Sequence, residues 1–444
     1  MLIYLVTILA YEIMSLQVFI PGKNWCLSLA ELAAFLEARN SKFAVHSMSR
    51  DFFVLSFTDK GSFSVDDLGG VIKIGELVAN LPTEKLRSAF LQKNREAQAQ
   101  IARTLESSGV AKILEAKLDK ILFGVSVYCA DKSLRPISKS IQRFIGSTIK
   151  RELSAHNKKA KFMGFSKDRR QPQLSHVEVL KKNLVENRAE VLFCIGEEQS
   201  WIATTVAVHN PFEFQKRDVG KPNQRKIFAM PPRLARIMVN LAFCTSGKLL
   251  LDPFCGVGTV LQEALLSKAR VIGMDINSWC IKAAEENLEW LKREYNLTEA
   301  DFRILHSDAR SMVKKIGWEQ VDGIVTEPDL GPALKHIPTK PYALKIIRKL
   351  QPLYFDFIEE AYKVLKKSGR LVLVTPYIKT RSEVAVTMDI EEKSLEIGFQ
   401  RVYPFKKEQF DENAKAPEAL IQMASLVDIE EKHKIGREIH IFQK

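Results

Sequence analysis

The run Leu249-Leu250-Leu251-Asp252-Pro253-Phe254-Cys255-Gly256-Val257-Gly258-Thr259 constrains this chain more than any other stretch of it. Three leucines in succession read as a strand buried on both faces, the pattern of a parallel sheet covered by helices. The strand ends in an acid, a proline and a glycine-rich turn, and helix-forming residues 260–266 follow at once. Glycines at 256 and 258 would let backbone come close to a ligand where a side chain would block it. In open α/β sheets small molecules bind outside the carboxyl ends of the strands, which is where Asp252 would stand. A lone turn of this kind says little. Here three more strands follow, and each of them also ends in an acid.

Those strands are 270–275, 302–307 and 322–326, with a fifth at 370–375. They alternate with helices that include 277–295 and 350–367, and 400–404 with 438–442 reads as a closing pair. Five strand–helix units and a hairpin within residues 233–444 describe one doubly wound, Rossmann-like α/β domain.

The front half is organised differently. Residues 1–78 mix short apolar runs with a helix and read as an α+β, ferredoxin-like domain. Ser28-Leu29-Ala30-Glu31 matches a capping box that would open the helix, and 52–57 reads as a strand. Residues 79–209 form a second unit, with helical sequence over 85–120, strands at 122–128, 190–196 and 201–209, and a basic helix at 138–155. A Lys-rich turn (Lys158, Lys159, Lys161) follows that helix, then Phe162, Met163 and Phe165, then Lys167, Arg169 and Arg170. Basic residues interleaved with aromatics suit phosphate contacts combined with stacking on unpaired bases. Residues 210–232, with four prolines, five Lys or Arg and little periodicity, read as a linker, and a helix at 233–244 follows.

The charge is concentrated in the same region. Residues 132–236 hold 22 Lys and Arg against 9 Asp and Glu, an excess equal to the +13 of the whole chain. A one-sided positive field is the footprint of a polyphosphate partner. Arg143, Lys150 and Arg151 on the basic helix join Lys158, Lys159, Lys161, Arg169 and Arg170 as candidate RNA contacts. The six cysteines (26, 129, 194, 244, 255, 280) and eight histidines are scattered, so no metal site is expected and a reducing cytoplasm fits. Residues 1–11 are apolar but shorter than the roughly 20 needed to cross a bilayer. No Lys or Arg precedes them and Glu12 ends the run, so neither a membrane span nor a signal peptide is expected. They read as an extra strand, or as a start called ahead of Met14.

Four acids at strand ends define the candidate site: Asp252, Asp275, Asp308 and Glu327. The separation of Asp252 and Asp275 suits an acid at the second strand end that accepts from both hydroxyls of a ribose. Leu261 stands where a dinucleotide fingerprint needs its third glycine, and the helix start lacks a P-loop lysine. A cofactor with ribose and adenine but no pyrophosphate fits better than NAD or ATP, and S-adenosyl-L-methionine is such a molecule. Asp308, beside the small Ala309, would reach the adenine amine.

Asp252-Pro253-Phe254-Cys255-Gly256-Val257-Gly258-Thr259 resembles the first motif of amino-methylating methyltransferases. Thr326-Glu327-Pro328-Asp329-Leu330-Gly331 stands in the place of their fourth, which is Asp or Asn, Pro, Pro and an aromatic. Together with Gly22-Lys23-Asn24-Trp25, Arg217-Asp218-Val219-Gly220-Lys221-Pro222 and Met230-Pro231-Pro232-Arg233-Leu234-Ala235-Arg236, the chain is similar to the THUMP-domain tRNA guanine-N2-methyltransferases of the guanosine-10 type over most of residues 14–376. The resemblance implies a class I S-adenosylmethionine-dependent enzyme with a THUMP-like RNA-binding domain at 79–209. It further implies that Asp252, Phe254, Gly256, Gly258, Thr259, Asp275, Ile276, Asp308 and Ala309 hold the cofactor. Glu327 and the Pro328 carbonyl would hold the target amine, with Leu330 against the flipped base. Three departures stand out: Glu327 is one methylene longer than the usual Asp, Asp329 replaces the second proline, and Leu330 replaces the aromatic.

Three readings stand at this point. The first is a cytoplasmic, monomeric tRNA guanine-amine methyltransferase. The second is a DNA amino-methyltransferase, which shares both motifs. The third is an RNA-binding protein whose methyltransferase domain is silent, for which the altered fourth motif argues.

Overall fold

The computed structural model describes residues 15–58, 63–115, 120–163, 172–225, 229–412, 414 and 416–444. The apolar start at 1–11 and the sequence candidates Phe165, Lys167, Arg169 and Arg170 lie outside the described residues.

The front half is built on a single sheet. Its strands are β1 (Ser15–Pro21), β2 (Phe43–Met48), β3 (Phe53–Phe57), β4 (Val71–Pro82), β5 (Lys120–Cys129), β6 (Lys159–Phe162), β7 (Glu190–Ile195) and β8 (Gln199–Val208). They lie in the order β2-β3-β1-β4-β8-β7-β5-β6. The boundary expected between residues 78 and 79 falls inside β4. That strand is long enough to pair with β1 through its first half and with β8 along most of its length. Beneath the sheet a buried ion pair joins Lys73 of β4 to Glu190 of β7, and Ser126 and Thr205 hydroxyls donate to the same carboxylate.

Several local expectations are corrected by packing. The first helix, Trp25–Ala38, begins three residues ahead of the Ser28 capping box, with Asn24 as its cap, accepting from Leu27 N at 3.3 Å. Ser28 and Glu31 are spent on tertiary contacts instead. The Ser28 hydroxyl donates to Gly70 O, and Glu31 accepts from Gly69 N and Gly70 N. The basic helix spans Ser138–Ala155 as expected, because Ile141, Ile145, Ile149 and Leu153 repeat at helical spacing and are buried. The Lys-rich turn is in fact the edge strand β6, paired parallel to β5 and alternating exposed Lys159 and Lys161 with half-buried Ala160 and Phe162.

Residues 210–232 are also more than a tether. A helix, Pro211–Val219, is capped by Asn210, whose side chain accepts from Phe212 N at 3.0 Å. Its buried Arg217 and the buried Arg236 beyond it both pair with Glu263, at 2.6 and 2.9 Å. Proline and charge suggest a linker, yet Arg217 is buried against Glu263 and Lys221 against Thr259, while Arg225 stays exposed.

The second half supplies β9 (Leu249–Asp252), β10 (Arg270–Asp275), β11 (Phe302–His306), β12 (Val321–Thr326), β13 (Leu365–Ile378), β14 (Gln400–Arg401), β15 (Ser425–Asp428) and β16 (Ile435–Gln443). The order is β11-β10-β9-β12-β13-β16-β14, the first five parallel, with β16 antiparallel between β13 and β14. β15 pairs with the other part of β16 and was not expected from sequence. The helix before β13 runs Lys340–Val364, ten residues earlier than expected, carrying Pro352 inside it while burying nine residues. The strand order reverses between β9 and β12, and this reversal opens a crevice at the carboxyl ends.

The two halves share one core. Leu29, Ala30 and Phe35 of the first helix pack with Ile237, Met238 and Leu241 of the helix Pro232–Leu241, and that cluster continues into Leu261 and Leu265 behind the glycine turn. Glu31, fully buried at this seam, also accepts from Asn240 Nδ2 at 2.7 Å. Burial pushes its carboxyl up to about 7 despite those three N–H donors. Removing it strands all three. Glu31→Ala should therefore lower unfolding free energy by roughly 2–4 kcal/mol in denaturant titration, and an unchanged midpoint would contradict the role given to this contact.

Candidate active site

The crevice between β9 and β12 holds a cavity of 510 Å³. Its walls come mainly from the segments that follow four parallel strands, so short stretches far apart in sequence converge, and Arg225, Ala229 and Met230 of the connecting segment complete them. Asp252, Phe254, Gly256, Thr259, Asp275, Ile276, Asp308, Ala309, Glu327, Pro328 and Leu330 all line it. Gly258 does not. It stands just behind the wall at φ +85°, ending the turn and starting the helix Thr259–Leu266. Gly256, at φ +52°, opens the wall itself: a Cβ there would meet nothing nearer than an Arg225 nitrogen at 3.8 Å. The space such a side chain would fill is left for a ligand.

Each acid is placed by a specific contact. Asp252 is fully buried at the end of β9 and accepts from the Thr326 hydroxyl of β12 at 2.7 Å and from Phe254 N at 3.2 Å. Burial pushes its carboxyl up to about 7. Asp275 accepts from Gly256 N at 3.0 Å with one oxygen and from Asn277 N at 2.8 Å with the other. It thereby ties the glycine turn to the end of β10, and each oxygen keeps a lone pair for hydroxyl donors. Asp308 caps a short turn and is gripped by Arg310, at 2.6 Å through Nη2. This hydrogen bond holds its carboxyl below the ordinary range.

The fourth-motif segment departs furthest from expectation. Glu327 is paired with Arg437 of β16, which donates through Nε to one oxygen and through Nη2 to the other at 3.2 Å. Both side chains are about nine-tenths buried. Leu330 lines the cavity yet is only 6% exposed and belongs to the core, so little of it is presented to a base. Behind it, the Tyr354 hydroxyl donates to Asp329 O at 3.0 Å, and Asp329 Oδ1 accepts from Gly331 N, where φ is +101°. Arg437 was missed from sequence. Its only signal was a charge next to the closing strand, 110 residues from its partner.

The basic candidates lie on a separate surface. Arg143, Lys150 and Arg151 are exposed along one face of the helix Ser138–Ala155, while Lys159 and Lys161 are exposed on the edge strand β6 and Lys158 is half-buried. The aromatic expected to stack on bases does other work: Phe162 packs on Phe123 at 5.4 Å between centroids and over Gly146. Among the described residues no group of side chains could hold a metal ion, and no helix is long and apolar enough to cross a membrane.

A crevice at the strand reversal, a glycine turn and four strand-end acids belong to a doubly wound α/β fold of the class I methyltransferase type. Known proteins agree. Residues 222–402 match a family described as the RMKL-like methyltransferase domain, and residues 128–286 match one described as DNA methylase. The tRNA (guanine(10)-N2)-dimethyltransferases of Methanothermobacter thermautotrophicus and Methanocaldococcus jannaschii are 34% and 31% identical over 39% and 51% of this chain. A Methanothermococcus thermolithotrophicus protein named "Probable tRNA (guanine(10)-N2)-dimethyltransferase" is 34% identical over 32% of this chain and 79% of its own length. The chain belongs to this family of tRNA guanine-N2-methyltransferases. It spans about half the length of the first two relatives, 47% and 57%. The crystal structure of TrmN from Thermus thermophilus shares the fold, with a TM-score of 0.50 at 17% identity over 97% of this chain and 99% of that one.

The buried acids make stability depend on pH. Asp252 in the folded chain keeps its proton up to about 7, whereas an unfolded Asp loses it near 4. Its contribution is therefore fully present below about pH 4 and is lost as pH rises through about 7; Glu31 acts over a similar window. Unfolding free energy should fall between those limits, and Asp252→Asn should flatten part of the slope. An identical slope in the variant would show that Asp252 is ionised in the folded state.

Proposed function

We propose that the chain is an S-adenosylmethionine-dependent tRNA methyltransferase that modifies the exocyclic N2 amine of a guanosine, of the position-10 type. The observation that carries this reading is the convergence of Asp275, Asp308 and the glycine turn with Glu327-Pro328 on one cavity. The donor set suits a nucleoside without pyrophosphate. Asp275 offers two oxygens to a ribose diol, Ile276 beside it is 69% exposed and can cover an adenine face, and Asp308 can accept from the adenine amine by releasing the exposed Arg310. S-adenosylmethionine, when bound, supplies an electrophilic methyl group.

The chain's own task is then orientation. Guanine N2 is weakly basic and its attack depends on placement more than on proton transfer. Glu327, fixed in place by Arg437, accepts from the amine with its remaining lone pairs and balances positive charge developing on nitrogen. The Pro328 carbonyl shares that task. Leu330 contributes an apolar edge only. Residues 79–209 act as the THUMP-like RNA-binding unit, with Arg143, Lys150, Arg151, Lys158, Lys159 and Lys161 facing phosphates, and the protein works as a monomer in the cytoplasm.

Two observations favour competing readings. The match described as DNA methylase supports an amino-methyltransferase acting on DNA. The Glu327–Arg437 pair, which occupies the carboxylate, supports a silent domain. The relatives named for tRNA weigh against the first, and the intact cavity weighs against the second.

Asp275→Ala should abolish S-adenosylmethionine binding in calorimetry. Glu327→Ala should lower methyl transfer by roughly a hundredfold or more with binding retained; unchanged transfer would remove Glu327 from the mechanism. Reversing Lys158, Lys159 and Lys161 to Glu should weaken tRNA binding and reduce its salt dependence by about one phosphate per lost contact. Equal affinity across salt concentrations would discard that surface.

A further inference from the structure

The cavity is lined by five acids, Asp252, Asp275, Asp308, Glu327 and Asp329, and by two cations, Arg225 and Arg310. Arg310 is committed to Asp308, and Glu327 is matched by Arg437. Arg225 differs. It makes no hydrogen bond or ion pair with any other described residue, and its Nη1 reaches over the glycine turn at Gly256.

Arg225 is held there by its neighbours. Asn287, fully buried on the helix Ser278–Glu294, accepts from Asn223 N at 2.9 Å and donates to Asn223 O at 2.9 Å. The same amide donates to Val257 O at 2.8 Å, inside the glycine turn. Two residues earlier, Lys221 Nζ donates to Thr259 Oγ1 at 2.9 Å, where the turn becomes helix. The connecting segment is thus stitched to the turn at Lys221 and at Asn223, and Arg225 stands two residues beyond the second stitch.

We infer that Arg225 receives the carboxylate of the cofactor's amino-acid tail. This rests on the proposal that the cavity binds S-adenosylmethionine. Its nucleoside is assigned to the Asp275–Asp308 wall, and its methyl group must face Glu327 and Pro328 for transfer. The third substituent on sulfur is left with the remaining wall, the glycine turn and the segment carrying Arg225. That tail ends in an ammonium and a carboxylate. Acids in the cavity suit the ammonium, whereas the carboxylate requires a cation, and a guanidinium fork matches it in shape and charge.

The test is calorimetry on the full chain with two probes: S-adenosylmethionine and its decarboxylated form, which keeps the sulfonium, nucleoside and ammonium. The unaltered protein should bind the first about tenfold to a hundredfold more tightly. Arg225→Ala should remove most of that preference, weakening S-adenosylmethionine by the same factor and its decarboxylated form by less than about threefold. Arg225→Lys should fall between. Arg225 is exposed, so the alanine variant should keep the thermal midpoint of the parent. If both probes weaken equally, or neither changes, the inference is overturned. A variant that binds S-adenosylmethionine normally but has a raised KM for tRNA would assign Arg225 to RNA and overturn it too. Absence of any S-adenosylmethionine binding by the unaltered chain is a different failure, that of the cofactor reading itself.

Discussion

The hydrogen bond from the Thr326 hydroxyl to Asp252 joins the ends of the two strands between which the sheet reverses its order. Both residues are fully buried, and the carboxyl is driven toward its neutral form by that burial. From the end of β9 the chain turns through Gly256 and Gly258 into a helix; from the end of β12 it leaves as Glu327-Pro328-Asp329. Fixing these two exits relative to one another sets the width of the crevice. Asp275 then fixes the third side by holding Gly256 N from β10. Two short contacts, one between side chains and one to backbone, thus shape the cavity.

The front half is fastened to this frame by polar contacts buried at the seam. Glu31 binds the Gly69-Gly70 backbone on its own side and Asn240 on the other. Around it, Asn24 donates to Val427 O, and His46 bridges Ser56 and Asp411. Apolar packing is continuous across this seam, whereas the basic helix and edge strand pack in a separate core on the far part of the same front sheet.

Much of this was legible in the sequence because it is local. The strands ending in Asp252 and Asp275 announce themselves as short apolar runs bounded by turn residues, and the helix Ser138–Ala155 by isoleucines at four-residue spacing. What was not legible depends on contacts between distant segments. Ser28 and Glu31 have the spacing of a cap, yet a buried backbone 40 residues away claims both. Arg217 and Lys221 look like linker charges until Glu263 and Thr259 appear beside them. The alternation Lys159-Ala160-Lys161-Phe162 did carry a strand signal, overlooked because its charges suggested a turn. Arg437 and Arg225 gave no usable signal, since each acquires meaning only through a partner or a cavity brought to it by the fold.

Methyl transfer from this cavity to RNA is the property on which the proposed function depends. The most direct measurement is nucleoside mass spectrometry of unmodified tRNA after incubation with the purified chain and methyl-labelled S-adenosylmethionine. Label recovered as N2-methylated guanosine is the expected result. Absence of labelled nucleoside in tRNA, with label appearing instead on an amine of DNA or on nothing at all, would contradict it.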